Sequence, residues 1–106
     1  MTTLLLQFPA NHPCGAGHFP GNAIIPGALL LDEVLACISA SLDAGDMAWR
    51  IKSAKFPGMV RPGDKVHINF NRSDNGDISF ECTVSDSRVM SGTSGIRPVS
   101  AGEAPL

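Results

Sequence analysis

The sequence predicts an α+β domain in which one antiparallel sheet wraps around a central buried helix. Three observations predict it. A run from Ala28 to about Asp43 is apolar almost without interruption and opens at the pair Pro26-Gly27. After that run the hydrophobic period drops from about 3.6 residues to about 2, the change from helix to half-buried strand. Before it stand only a short apolar segment and a long stretch rich in proline and glycine.

Residues 3–8 (TLLLQF) are short and apolar and end at Pro9, which predicts a strand. Residues 9–26 carry repeated Pro and Gly and read as an irregular loop. A loop that long inside a compact domain is characteristically functional or disordered. The helix is expected to begin around Pro26-Gly27-Ala28, where a proline loses no intrahelical hydrogen bond. It carries Leu29, Leu30, Leu31, Val34, Leu35, Cys37, Ile38, Ala40 and Leu42, so apolar residues fall on every side, and Gly45 is a candidate cap. A helix apolar all round is expected to be buried all round, which one small sheet cannot do, so a second subunit is expected.

Trp49 and Ile51 alternate with Arg50 and Lys52, giving a strand over about 48–56. The link Pro57–Asp64 follows, and then Val66, Ile68 and Phe70 alternate with His67, Asn69 and Asn71. Asp74-Asn75-Gly76 signals a tight turn into Ile78, Phe80, Cys82 and Val84, a hairpin. Residues 87–97 read as a last strand. The domain is thus expected to span 1–97, with 98–106 a flexible tail.

At 106 residues the chain is one domain. A domain of this size buries only about 60–70% of its unfolded surface, a limit that a homodimer or higher homo-oligomer would relieve. The net charge of −2 argues against nucleic acid as a main partner. Five basic residues, Arg50, Lys52, Lys55, Arg61 and Lys65, fall close together in sequence. They read either as solvated strand faces or as a patch for an anionic partner such as a phosphopantetheine-bearing carrier. Cys14, Cys37 and Cys82 are odd in number and irregular in spacing, so no disulfide framework is expected and a reducing cytoplasm fits. Leu4-Leu5-Leu6 is too short for a signal peptide, and no run approaches the roughly 20 apolar residues of a membrane span.

Chemistry concentrates at the loop-to-helix junction. His18 is a loop histidine whose ordinary pKa, about 6.5, suits a base near neutrality. Asp32 and Glu33 are adjacent acids in an apolar run; helical neighbours of Asp32 are Ala28, Leu29, Leu35 and Ala36, and those of Glu33 are Leu29, Leu30, Ala36 and Cys37. Either is expected to be desolvated, which raises a carboxyl pKa and keeps a proton ready for donation. Periodicity does not choose between them. Gly27 offers a backbone N–H at a helix start, suited to an oxygen that gains negative charge. A base, an acid and an oxyanion donor suit proton abstraction α to a carbonyl with loss of a β-hydroxyl, and this needs no metal or redox cofactor. His12 and Cys14 with His18 lack a recognised zinc spacing, so no metal is expected. Cys14 has no evident base partner for a nucleophilic role, and His67 alternates onto a polar strand face.

Two blocks carry a family resemblance. HFPGNAIIPGALLLD (His18–Asp32) is similar to the signature H-F-x-G-x-P-x-x-P-G-x-L-x-x-E/D, and KFPGMVRPGDKV (Lys55–Val66) looks like the segment K-F-x-x-x-V-x-P-G-D. Both belong to the β-hydroxyacyl-acyl carrier protein dehydratases, the FabA/FabZ class with the hot-dog fold. Position 23 is Ala where that family usually has Pro, and Ala36 stands where it often has Gln. The resemblance implies dehydration of (3R)-3-hydroxyacyl thioesters on acyl carrier protein or CoA, in fatty acid or related acyl-chain biosynthesis. Its spacing selects Asp32 over Glu33 as the acid, beside His18 as base and Gly27 as oxyanion donor. It implies substrate contacts at Phe19, Pro20, Gly21, Pro26 and Ala28, and a dimer in which His18 of one subunit meets Asp32 of the other. Thioester hydrolysis on the same fold and a non-catalytic acyl-thioester or carrier-binding module are the alternatives.

Overall fold

The computed structural model describes residues 2–9, 24–42 and 47–98. Along the chain run β1 (Thr2–Gln7), α1 (Gly27–Leu42), β2 (Met47–Lys55), β3 (Lys65–Arg72), β4 (Ile78–Val84) and β5 (Ser87–Pro98). The strands form one sheet in the order β1-β3-β4-β5-β2, and every neighbouring pair is antiparallel. This is the α+β arrangement expected, with the helix packed on one face of the sheet.

Alternation decides that face. Val66, Ile68 and Phe70 on β3 and Ile78, Phe80 and Cys82 on β4 are buried, and Ile68 pairs with Cys82 and Phe70 with Phe80 across the ladder. From the helix, Leu30, Val34, Leu35 and Ile38 close the same core, with Val89 and Met90 from β5. Burying one such side chain stabilises the fold by about 1.5–3 kcal/mol, so this cluster is the main source of stability. On the outer face stand Thr3, whose hydroxyl donates to Asn69 Oδ1 at 2.7 Å, and His67, exposed as expected.

The connections follow local chemistry. Gly76, at φ 90°, lets the Asp74-Asn75-Gly76 turn close, and Asn75 Oδ1 accepts from Asp77 N at 3.0 Å. The β4–β5 hairpin turns through Ser85 and Asp86, both left-handed at φ 49° and 66°. That is the paired geometry of a tight hairpin, here without a glycine. Arg61-Pro62-Gly63-Asp64 forms a turn in which Asp64 N donates to Arg61 O at 3.0 Å. Proline presets its second position and Gly63, at φ 94°, supplies the left-handed third, the type II pattern.

As expected of so apolar a helix beside one small sheet, the sheet leaves one side of it uncovered: Ala28, Asp32, Glu33, Ala36 and Ala40 are exposed, while Leu29, Leu31, Cys37 and Leu42 are half-buried shoulders. The uncovered side is apolar by count because alanine is counted with leucine but is small enough to sit on either face. The five basic residues are spread over two parts of the sheet. β2, with Arg50, Lys52 and Lys55, is the sheet edge beside β5, and two strands separate it from β3, where Lys65 lies. At about 4.8 Å per strand that is roughly 14 Å. Arg61 sits in the turn before β3, and Lys52 is engaged by Asp77 Oδ2 at 2.5 Å. Closeness in sequence did not become closeness in space.

Candidate active site

The start of α1 is fixed from two directions. Within the chain, Leu30 N donates to Pro26 O at 3.0 Å, which makes Gly27 the first helical residue. Its N–H therefore belongs to the donors that a helix leaves without an intrahelical acceptor. From across the fold, Ile25 N donates to Val60 O at 2.7 Å, and both residues are buried. The link that supplies Val60 is itself tied to the end of β1: Gly63 N donates to Phe8 O at 2.8 Å, and Phe8 N to Asp64 O at 3.3 Å. Inside its turn, Arg61 N donates to Asp64 Oδ2 at 2.8 Å. The two sequence blocks thus meet in space, the second holding the helix start that the first encodes.

Asp32 and Glu33 both lie in the second turn of the helix, and both are exposed. Among the described residues neither has the apolar surround expected for it. Asp32 lies on the row Ala28, Asp32, Ala36 and Ala40, all exposed and, the acid apart, all alanine. Glu33 lies on the neighbouring row with the half-buried Cys37, whose thiol is pushed up by burial first and by the Glu33 charge second. Asp32 is thus flanked along its row by alanines, whereas Glu33 is close enough to Cys37 for its charge to act on that thiol. Pro26 and Ala28 are exposed beside the helix start, as a substrate-contacting role requires. His18, Phe19, Pro20 and Gly21 lie outside the described residues, as do His12 and Cys14.

Three large apolar side chains around this end are also uncovered: Ile24 is 40%, Phe56 45% and Met59 60% exposed. Sequence reasoning passed over Phe56 as a site residue. Its ring lies against Gly27, where an added Cβ would stand 3.2 Å from Cε1 and 3.3 Å from Cδ1. Its place inside the second block was the available signal. A cleft of about 400 Å³ lies elsewhere, lined by Ala48, Trp49, Arg50, Gly95, Ile96 and Arg97. Trp49 Nε1–H donates to Ser39 Oγ at 3.2 Å in the last helical turns, about 18 Å along the axis from Gly27. Among the described residues no three or more His, Cys, Asp or Glu side chains come together as a metal cage, and no helix is long and apolar enough to cross a membrane.

Residues 1–94 match the family model described as ApeI-like, ApeI dehydratase. The chain is 37% identical over 81 residues to the 3-hydroxyacyl-acyl-carrier-protein dehydratase FabZ of Lactiplantibacillus plantarum, a match covering 66% of this chain and 55% of that one. It spans about half the length of the curated relatives it matches. Among solved structures, an uncharacterized protein from Erwinia carotovora subsp. atroseptica superposes with a TM-score of 0.75 at 23% identity, covering 92% of this chain and 82% of that one. The dehydratase heterocomplex ApeI:P from Xenorhabdus doucetiae does so with a TM-score of 0.72 at 20% identity, covering 89% and 84%. The fold is the hot-dog fold.

Proposed function

The chain belongs to the ApeI-like dehydratase family, and from that premise we propose that it dehydrates (3R)-3-hydroxyacyl thioesters to trans-2-enoyl thioesters. The acyl group rides on a phosphopantetheine arm, of acyl carrier protein by preference or of CoA, in fatty acid or related acyl-chain biosynthesis. The observation that carries the reading is the helix start: Gly27 opens α1, and the exposed Asp32 follows on the same helix in a row of alanines.

Each group then has one task. The Gly27 N–H, with the helix dipole behind it, accepts the charge that grows on the thioester oxygen. His18 removes the α-proton, and the electron pair of that C–H bond becomes the Cα=Cβ bond as the Cβ–O bond breaks. Asp32 gives its proton to the departing hydroxyl, which leaves as water. The proton held by His18 then returns to the carboxylate through solvent, and the site is reset. Asp32 must be protonated for this, and the single chain leaves it in water. A second copy of the chain supplies both the missing desolvation and His18, and the uncovered Ile24 and Met59 give that copy and the acyl chain an apolar surface. The protein works as a homodimer in the cytoplasm, where Cys37 and Cys82, both free, remain thiols.

The test offers trans-2-enoyl and 3-hydroxyacyl thioesters of acyl carrier protein and of CoA, and follows both enoyl absorbance and free thiol. Reversible hydration without thiol release is the expected result. Thiol release would make the protein a thioesterase, and binding without turnover a non-catalytic acyl-thioester module; either outcome overturns the dehydratase reading.

A further inference from the structure

We propose that Phe56 is a positioning residue for the Gly27 amide, its ring acting as a clamp that holds the first peptide of α1 in one orientation. The inference rests on the reading of Gly27 as the oxyanion donor and names a residue that this reading does not require.

Three carbons of the Phe56 ring, Cε1, Cδ1 and Cζ, lie 3.2, 3.3 and 3.4 Å from where a Gly27 Cβ would stand. The ring fills the space a Gly27 side chain would take and so covers that side of the glycine. The peptide that carries the Gly27 N–H is held at its other edge, where Pro26 O accepts from Leu30 N at 3.0 Å, but this is the first bond of the helix and Gly27 has no side chain of its own to steady that turn. An oxyanion donor works only if it already points at the place where charge develops. A misplacement of about 1 Å can cost about a hundredfold in rate. A ring in contact with the glycine restrains that motion.

The clamp is anchored on its own side. Gly58 packs so closely on β5 that a Cβ there would lie 2.9 Å from Arg88 O. Val60 is 1% exposed and accepts the Ile25 N–H, the last bond before the helix. Phe56 is 45% exposed, more than core packing alone would leave for a ring of that size. The segment that carries Phe56 is thus fixed at Gly58 and Val60, and the ring lies over Gly27.

The experiment measures the backbone order parameter of Gly27 by ¹⁵N relaxation, and turnover of the enoyl thioester, in wild type, Phe56→Ala and Phe56→Leu. The Gly27 order parameter is expected to fall from about 0.85 to below about 0.6 in Phe56→Ala, with Val34 and Ile38 unchanged, and to recover in large part in Phe56→Leu. In parallel kcat is expected to fall at least about tenfold while KM moves less than about threefold. In a Gly27→Ala background, adding Phe56→Ala is expected to cost no further activity, since the two act as a unit. Leu5→Ala, on the outer face, serves as the unchanged control. An unaltered Gly27 order parameter in Phe56→Ala, an equal loosening of Val34 and Ile38, or kcat losses that multiply in the double variant would each overturn the proposal. If wild type shows no hydration but Gly27 still loosens in Phe56→Ala, the dehydratase reading fails and the clamp stands.

Discussion

On one face of α1, Leu30, Val34, Leu35 and Ile38 are buried against the sheet; on the other, Ala28, Asp32, Glu33, Ala36 and Ala40 stand in the open. The two faces share a helix and an apolar bias, yet the chain encloses only one of them. What separates them is side-chain size. Branched residues fill the space between helix and sheet, while alanines on the far side leave a low ridge along which another backbone or a thioester can come close. The core face accounts for stability, and the alanine face is free to carry a carboxylate that would be intolerable in the core.

The largest test of this division is Ile38→Ala. Ile38 is fully buried, so the variant is expected to lose about 2–5 kcal/mol of stability in urea unfolding, with activity retained where it remains folded. A loss below about 1 kcal/mol would mean that the two faces are not distinct. Next comes pH. Burial, followed by the charges of Glu81 and Cys37, pushes the Cys82 thiol up to about 12 from its ordinary 9.0. The folded state therefore holds this proton to higher pH than the unfolded chain does. Its contribution is complete below pH 9 and is lost as pH rises toward 12. Unfolding midpoints measured across that window are expected to drop, and Cys82→Ala to flatten the drop. The smallest effect concerns the far end of the helix. Ser39→Ala removes the acceptor for Trp49 Nε1 and is expected to cost about 0.5–1.5 kcal/mol without altering turnover, since it lies far from Gly27.

Much of this fold is legible in the sequence because local chemistry dictates it. The β3–β4 hairpin follows from Val66-Ile68-Phe70, Ile78-Phe80-Cys82 and the Asp74-Asn75-Gly76 turn between them, each a short-range signal. The start of α1 is equally plain at Pro26-Gly27. The faces of α1 are not, because a period count treats Ala36 and Leu35 alike while packing does not. The basic cluster is spread for a topological reason: residues 50–65 cross from the sheet edge at β2 to β3 through a link, and strand order carries the charges apart. Phe56 on Gly27 is a contact between distant segments, and a sequence shows it only as two blocks that happen to be present together. The choice between Asp32 and Glu33 is the finest distinction. Both residues are exposed, and what differs is the row each occupies, alanines beside Asp32 and Cys37 beside Glu33.

That last difference holds the central claim, and one paired measurement tests it. Asp32→Asn and Glu33→Gln are compared with wild type for hydration of a trans-2-enoyl thioester and for unfolding midpoint. Both variants are expected to unfold within about 0.5 kcal/mol of wild type, since both side chains are exposed surface positions. Asp32→Asn is expected to lose at least about a hundredfold in kcat, the scale of general acid catalysis, and Glu33→Gln less than about threefold. If Glu33→Gln abolishes hydration while Asp32→Asn leaves it intact, the acid has been assigned to the wrong row of the helix.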